Sequence, residues 1–154
     1  MLSRRTFLSA LGASLLAAPL VGLASQPASA QAIYTGIIEG VAVGGYDTVA
    51  YHRERAARPG RPDISAEWQG VTWRFVSEDN REAFLADPER YAPAYGGHCA
   101  YGVAGGALVH GDPEVFSLVG GRLYLNISRS VHARWQGDIA GYIAQAEENW
   151  PRLQ

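Results

Sequence analysis

Two stretches of this chain carry the same local pattern, and few small folds can accommodate both. Around Gln69-Gly70, residues Trp68, Val71, Trp73 and Phe75 alternate at period two. Around Gly120-Gly121, the run from Val115 to Val119 and then Leu123, Leu125 and Ile127 do the same. Alternation on both sides of a two-residue turn reads as a β-hairpin. A serine follows each hairpin, Ser77 and Ser128, placed to cap a helix. Glu78 and Asp79 then sit in a first turn, where the helix dipole favours negative charge. Phe84 marks the buried face of the first helix, and Val131, Trp135, Ile139, Ile143 and Ala146 mark one side of the second. Asp87-Pro88 ends the first helix and can open another short one, since proline is tolerated in a first turn. Gly137-Asp138 interrupts the second helix, with Asp138 as a new cap.

Shifting the chain by 51 positions (121 − 70) pairs Gly70 with Gly121, Ser77 with Ser128, Phe84 with Trp135, Asp87 with Asp138 and Tyr91 with Tyr142. Each unit has one apolar face and needs the other to cover it. The expectation is a small single α+β domain of two β-hairpin–helix units with short antiparallel strands. Ahead of the first hairpin, residues 31–51 read as extended segments with a tight turn at Gly44-Gly45. Residues 52–64, rich in arginine and proline, read as a solvated loop.

The segment before this domain has a different character. Ser3-Arg4-Arg5-Thr6-Phe7-Leu8 precedes a run from Phe7 to Ala24 without any charge, and Pro27-Ala28-Ser29-Ala30 follows. Charged start, apolar middle and small-residue exit are the parts of a secretory signal. The Arg4-Arg5 pair makes it a twin-arginine signal, with cleavage after Ala30 and a mature domain spanning 31–154. That address implies the twin-arginine export machinery as a partner, a periplasmic location, and no membrane attachment after cleavage. Pro19 and the small-residue exit weigh against a permanent anchor.

Removing Arg4 and Arg5 leaves 11 arginines against 15 carboxylates, a formal charge of −4 (11 − 15). No basic stripe is present, so a nucleic-acid partner is not expected. Lysine is absent, which excludes Schiff-base chemistry and a phosphate-loop lysine. Met1 is the only methionine, so the mature domain has no methionine ligands for copper(I). Cys99 is the only cysteine and cannot form an internal disulfide.

Trp73-Arg74-Phe75-Val76-Ser77-Glu78, Phe84 and Asp87-Pro88-Glu89-Arg90-Tyr91 resemble the core of the YHS domain family. Gly44-Gly45-Tyr46-Asp47, Tyr95-Gly96-Gly97-His98-Cys99-Ala100, Leu123-Tyr124-Leu125-Asn126 and Asn149-Trp150-Pro151 resemble its longer, exported members. The resemblance covers nearly all of the mature chain. It implies heavy-metal binding through cysteines. The matching positions here hold Ala50, Val76 and Asn80, which offer no thiolate.

Cys99 is therefore the sharpest candidate. It precedes Ala100-Tyr101-Gly102-Val103-Ala104, a turn or two of helix ended by Gly105-Gly106. A cysteine at a helix start has a lowered pKa and serves as ligand or nucleophile; the competing reading is a small buried hydrophobe. His98 adjoins it, although neighbouring side chains of a regular element point apart, and His110 lies in a turn beside Gly111-Asp112-Pro113. His52 and His132 read as solvent-facing. Tyr46 and Asp47 are pocket candidates, with Asp47 alternatively anchoring the local turn through an Asx-type hydrogen bond. No Ser–His–Asp arrangement, phosphate loop or paired-carboxylate motif stands out, so binding is expected ahead of catalysis. The leading expectation is an exported module for a small ligand or a thiophilic metal ion such as copper, held by Cys99 with His98 and His110. The alternatives are a thiol redox protein with Cys99 as nucleophile, or a non-catalytic interaction domain.

Overall fold

A computed structural model describes residues 32–154. Arg4, Arg5 and Ala30, on which the expected export signal and its cleavage rest, lie outside the described residues.

The chain runs through one series of elements twice. The first pass is a 3-10 turn (Ala42–Gly45), α1 (Thr48–Glu54), β1 (Arg61–Trp68), β2 (Val71–Phe75), α2 (Glu78–Ala86) and α3 (Pro88–Tyr91). The second is a 3-10 turn (Ala94–Gly97), α4 (Ala100–Ala104), β3 (Asp112–Val119), β4 (Arg122–Asn126), α5 (Arg129–Gln136) and α6 (Ile139–Leu153). The fold is α+β, with two antiparallel two-stranded sheets, β1-β2 and β3-β4. The repeat reaches well beyond the hairpin–helix units evident in the sequence.

Local chemistry explains each boundary. Trp68 pairs with Val71 and Val119 with Arg122, closing both hairpins over two left-handed residues, Gln69-Gly70 and Gly120-Gly121. Both hairpins break register at the same place, between Arg61 and Ser65 and between Asp112 and Phe116, so an irregularity bends each strand away from its partner. The Ser77 hydroxyl accepts from Asn80 N at 3.2 Å and the Ser128 hydroxyl from Val131 N at 3.3 Å. Asp87 accepts from Arg90 N and Asp138 from Gly141 N, starting α3 and α6. These side chains satisfy amides that a helix start leaves without partners.

Two sequence expectations need correction. Residues 46–51 are not extended, because Asp47 caps α1 and winds Thr48 onward into helix. Residues 61–64 are not loop, because β1 already begins at Arg61. Arg61, Pro62 and Asp63 are exposed, so this strand start carries no apolar alternation to betray it.

The two units share their interior. Val49, Tyr51, Trp73, Phe75 and Phe84 of the first unit form one cluster with Leu123 and Leu125 of the second. Tyr95, Val103, Tyr124, Trp135 and Ala146 form another. Tyr51 crosses the seam: its hydroxyl donates to the Pro113 carbonyl at 2.7 Å and its ring lies 4.8 Å from Phe116. The mutual cover that the pattern implied therefore holds only in part: Leu123 and Leu125 of the second unit close over the first unit's apolar face, whereas the face of Trp135, Ile139, Ile143 and Ala146 packs within the second unit itself.

Candidate functional site

Cys99 stands at the start of α4, and its amide donates to the Val109 carbonyl at 2.7 Å. Its side chain is 1% exposed. The thiol donates to Asn126 Oδ1 at 3.5 Å, and the same oxygen accepts from Tyr101 N at 3.3 Å. Cys99 makes no capping bond to its helix, so Asn126 does part of that work from β4. The sulfur sits inside the domain with an amide as its polar neighbour, an environment close to that of a small buried hydrophobe.

His98 departs from Cys99, as adjacent side chains do. Its ring lies 5.5 Å from Tyr34 and 6.0 Å from Trp150, nearly buried, with Nδ1 lacking a hydrogen-bond partner. Burial pushes its pKa down, with the Val109 backbone opposing in part. His98 and His110 form an antiparallel bridge, and the Tyr34 ring stacks on His110 at 5.8 Å. His110 is exposed. The backbone thus brings the two histidines together while the Cys99 sulfur faces elsewhere. Among the described residues, no group of three or more His, Cys, Asp or Glu side chains is placed to share a metal ion. Mononuclear zinc-type sites use three or four such ligands, and the donors around Cys99 do not make up that set.

Asp47 is fully buried, and its partners define its role. Oδ1 accepts from Val49 N at 2.8 Å and Ala50 N at 3.1 Å, capping α1. Oδ2 accepts from Val76 N at 2.8 Å and from Asn80 Nδ2 at 2.7 Å. One carboxylate therefore fastens α1 to the end of β2 and to α2. Neither Asp47 nor Cys99 is among the lining residues of the two cavities described below. The anchoring by Asp47 is wider than an Asx turn, because it spans three elements.

His52 and His132 are not solvent-facing. His52 is half-buried edge-on to Tyr91 at 5.3 Å. His132 Nε2 lies 2.7 Å from the Ser117 hydroxyl and its ring stacks on Trp135. Burial pushes both pKa values down.

Tyr46 has a different surrounding. It lines a cavity of about 370 Å³ with Ile37, His110, Asp112, Glu114 and Ile127. Its hydroxyl donates to Glu114 Oε1 at 3.3 Å. Burial, then the charges of Glu114 and Asp112, push its phenol pKa up. The cavity lies across the seam, Tyr46 coming from the first unit and His110 to Ile127 from the second. Its walls pair isoleucine side chains with an acceptor-rich edge, and Glu114 has no ion-pair partner among the described residues.

Of the residues singled out in the sequence, Tyr46 and His110 meet in this cavity; Cys99, His98 and Asp47 do not line it. Sequence reasoning missed Ile37, Asp112, Glu114 and Ile127. The signal that could have found Asp112 and Glu114 was the repeat itself, which places them at the start of a second strand crossing the seam. The chain matches no family model, no curated protein and no solved structure, so its likeness to the YHS family rests on the residues quoted above.

Proposed function

We propose that this protein is an exported, periplasmic binding module whose ligand is a small molecule received in the cavity between the two units. The observation that carries the reading is the convergence of Tyr46 and His110, from separate repeats, on one space walled by Ile37, Ile127, Asp112 and Glu114. A concave site with apolar walls and a few convergent polar groups is the usual form of a ligand pocket. Its volume, about 370 Å³, suits a small metabolite. Glu114 and Asp112 make the polar edge rich in acceptors, so the fitting ligand brings donors: an amine or ammonium on a short apolar stem. The thiophilic-metal reading asks more of Cys99 than a buried thiol bonded to Asn126 supplies.

Calorimetric titration with butylammonium, butanol and butyrate tests the proposal. The ammonium should bind most tightly, and Glu114→Gln should weaken it by about tenfold, the loss of one charge-assisted hydrogen bond. Equal affinities for the three probes, or butylammonium binding unchanged by Glu114→Gln, would refute it.

A further inference from the structure

A second cavity, of about 230 Å³, opens at the junction between the units, on residues that the first does not use. Trp68 and Gln69 come from the tip of the first hairpin, Glu89 and Arg90 from α3, Pro93 from the link between units, and Arg122 from the start of β4. We propose that this cleft is a binding site for a small oxyanion, a carboxylate or a phosphate. This inference stands apart from the Tyr46 cavity and survives if that reading fails.

Two arginines, Arg90 and Arg122, are among the residues that line the cleft, and the single carboxylate among them is Glu89. Arg122 is held in advance. Its Nη1 donates to Glu147 Oε1 at 2.8 Å, while its guanidinium carbon lies 5.9 Å from the Tyr95 ring centre and 5.5 Å from that of Tyr124. Glu147 is itself fixed by the Tyr95 hydroxyl, which donates to Oε1 at 3.0 Å. An arginine braced in this way loses little rotamer freedom when an anion arrives, so less of the binding energy goes into ordering it. Arg90 rests over the Tyr91 ring at 5.6 Å, and no carboxylate of the described residues forms an ion pair with it. The other arginines that form ion pairs, Arg58, Arg61 and Arg81, do so with acids close by in sequence. Planar guanidinium forks match the geometry of carboxylate and phosphate oxygens. Trp68, braced edge-on against Trp73 and Phe84, adds a flat apolar wall for the body of a carboxylate ligand. The volume admits a phosphate or a small aromatic acid and falls short of the common range for larger ligands.

The test uses the full mature chain, with arginine side-chain and tryptophan indole NMR signals followed at constant ionic strength. Inorganic phosphate and benzoate are titrated separately, with chloride as the reference. The proposal expects saturable shifts at Arg90, Arg122 and Trp68 with at least one of the two anions, and a loss of about tenfold in affinity in Arg90→Gln. Arg90 is exposed, so that variant is expected to keep the fold even if Arg122→Gln, which breaks the Glu147 contact, does not. Saturation by phosphate alone assigns the site to phosphate, and saturation by benzoate alone to carboxylates stacked on Trp68; either supports an oxyanion site. Shifts that grow with added chloride alone, no saturation with either anion, or equal affinity in wild type and Arg90→Gln would overturn it.

Discussion

Asp47 and Cys99 occupy the same place in two copies of one folding unit. Each follows a left-handed turn ending in two glycines, Val43-Gly44-Gly45 before Asp47 and Tyr95-Gly96-Gly97 before Cys99. Each starts a helix, and each amide donates to a carbonyl just ahead of the next hairpin, Asp47 to Arg58 at 2.8 Å and Cys99 to Val109 at 2.7 Å. The first position holds a carboxylate that accepts four hydrogen bonds; the second holds a thiol that accepts none and donates one. The cysteine at this position is thus the counterpart of an anchor.

Removing the Asp47 carboxylate leaves buried donors on Val49, Ala50, Val76 and Asn80 without their acceptor. Asp47→Ala should destabilise the fold by about 3 kcal/mol or more, since each unmatched buried donor costs about 1–3 kcal/mol. Urea unfolding followed by tryptophan fluorescence measures it. A loss below about 1 kcal/mol would mean that water readily replaces the carboxylate.

Cys99, at 1% exposure, should resist alkylation in the native protein and react only at the rate of opening or unfolding. Labelling with a maleimide across a urea gradient should track the unfolding curve. Rapid labelling in the absence of denaturant would show a reachable thiol and revive the redox and metal readings.

The two glycine turns should respond unequally to the same change. Gly44 and Gly96 both hold positive φ, 59° and 60°, so alanine is strained at either. A Cβ at Gly44 meets the flexible Ile37 side chain at 3.0 Å, whereas one at Gly96 falls on the Ala32 carbonyl oxygen. Gly96→Ala should therefore cost at least 1 kcal/mol more than Gly44→Ala, the backbone strain being common to both. Thermal melts of the two variants compare them directly.

Acid should weaken the fold before its carboxylates titrate. Burial lowers the folded-state pKa of His52, His98 and His132. The unfolded chain then binds protons below about pH 6.5 that the folded chain still refuses. Stability is complete above that value and falls as pH drops through the window down to the lowered folded values. His98→Phe keeps a ring against Tyr34 and Trp150 and should remove part of the slope. A urea midpoint flat between about pH 7 and 5 would contradict it.

The hairpins, caps and helix break could be read in the sequence because turn glycines, cap serines and alternating apolar residues sit at one fixed offset of 51. The repeat's first part could not. Its turns recur at 52 (94 − 42) because the second unit has one residue fewer between turn and hairpin, and that change of register hides the match of Asp47 with Cys99. Side-chain identity hides it further, since a carboxylate and a thiol share no chemical signature. Tyr46 and His110 stood out as polar residues near glycines. Glu114 did not, because a lone acid at a strand start looks like ordinary solvated surface until the other unit is packed against it. The burial of Cys99 was open for a similar reason: Asn126, its partner, comes from a strand of the same unit far along the chain.

The native mass spectrum of the protein isolated from its producing cells, taken for wild type, Cys99→Ser and Glu114→Gln, bears most directly on the proposal that the Tyr46 cavity holds a small ligand. An organic adduct should persist in Cys99→Ser and be lost in Glu114→Gln. A metal-sized adduct that disappears with Cys99→Ser and ignores Glu114→Gln would contradict that proposal.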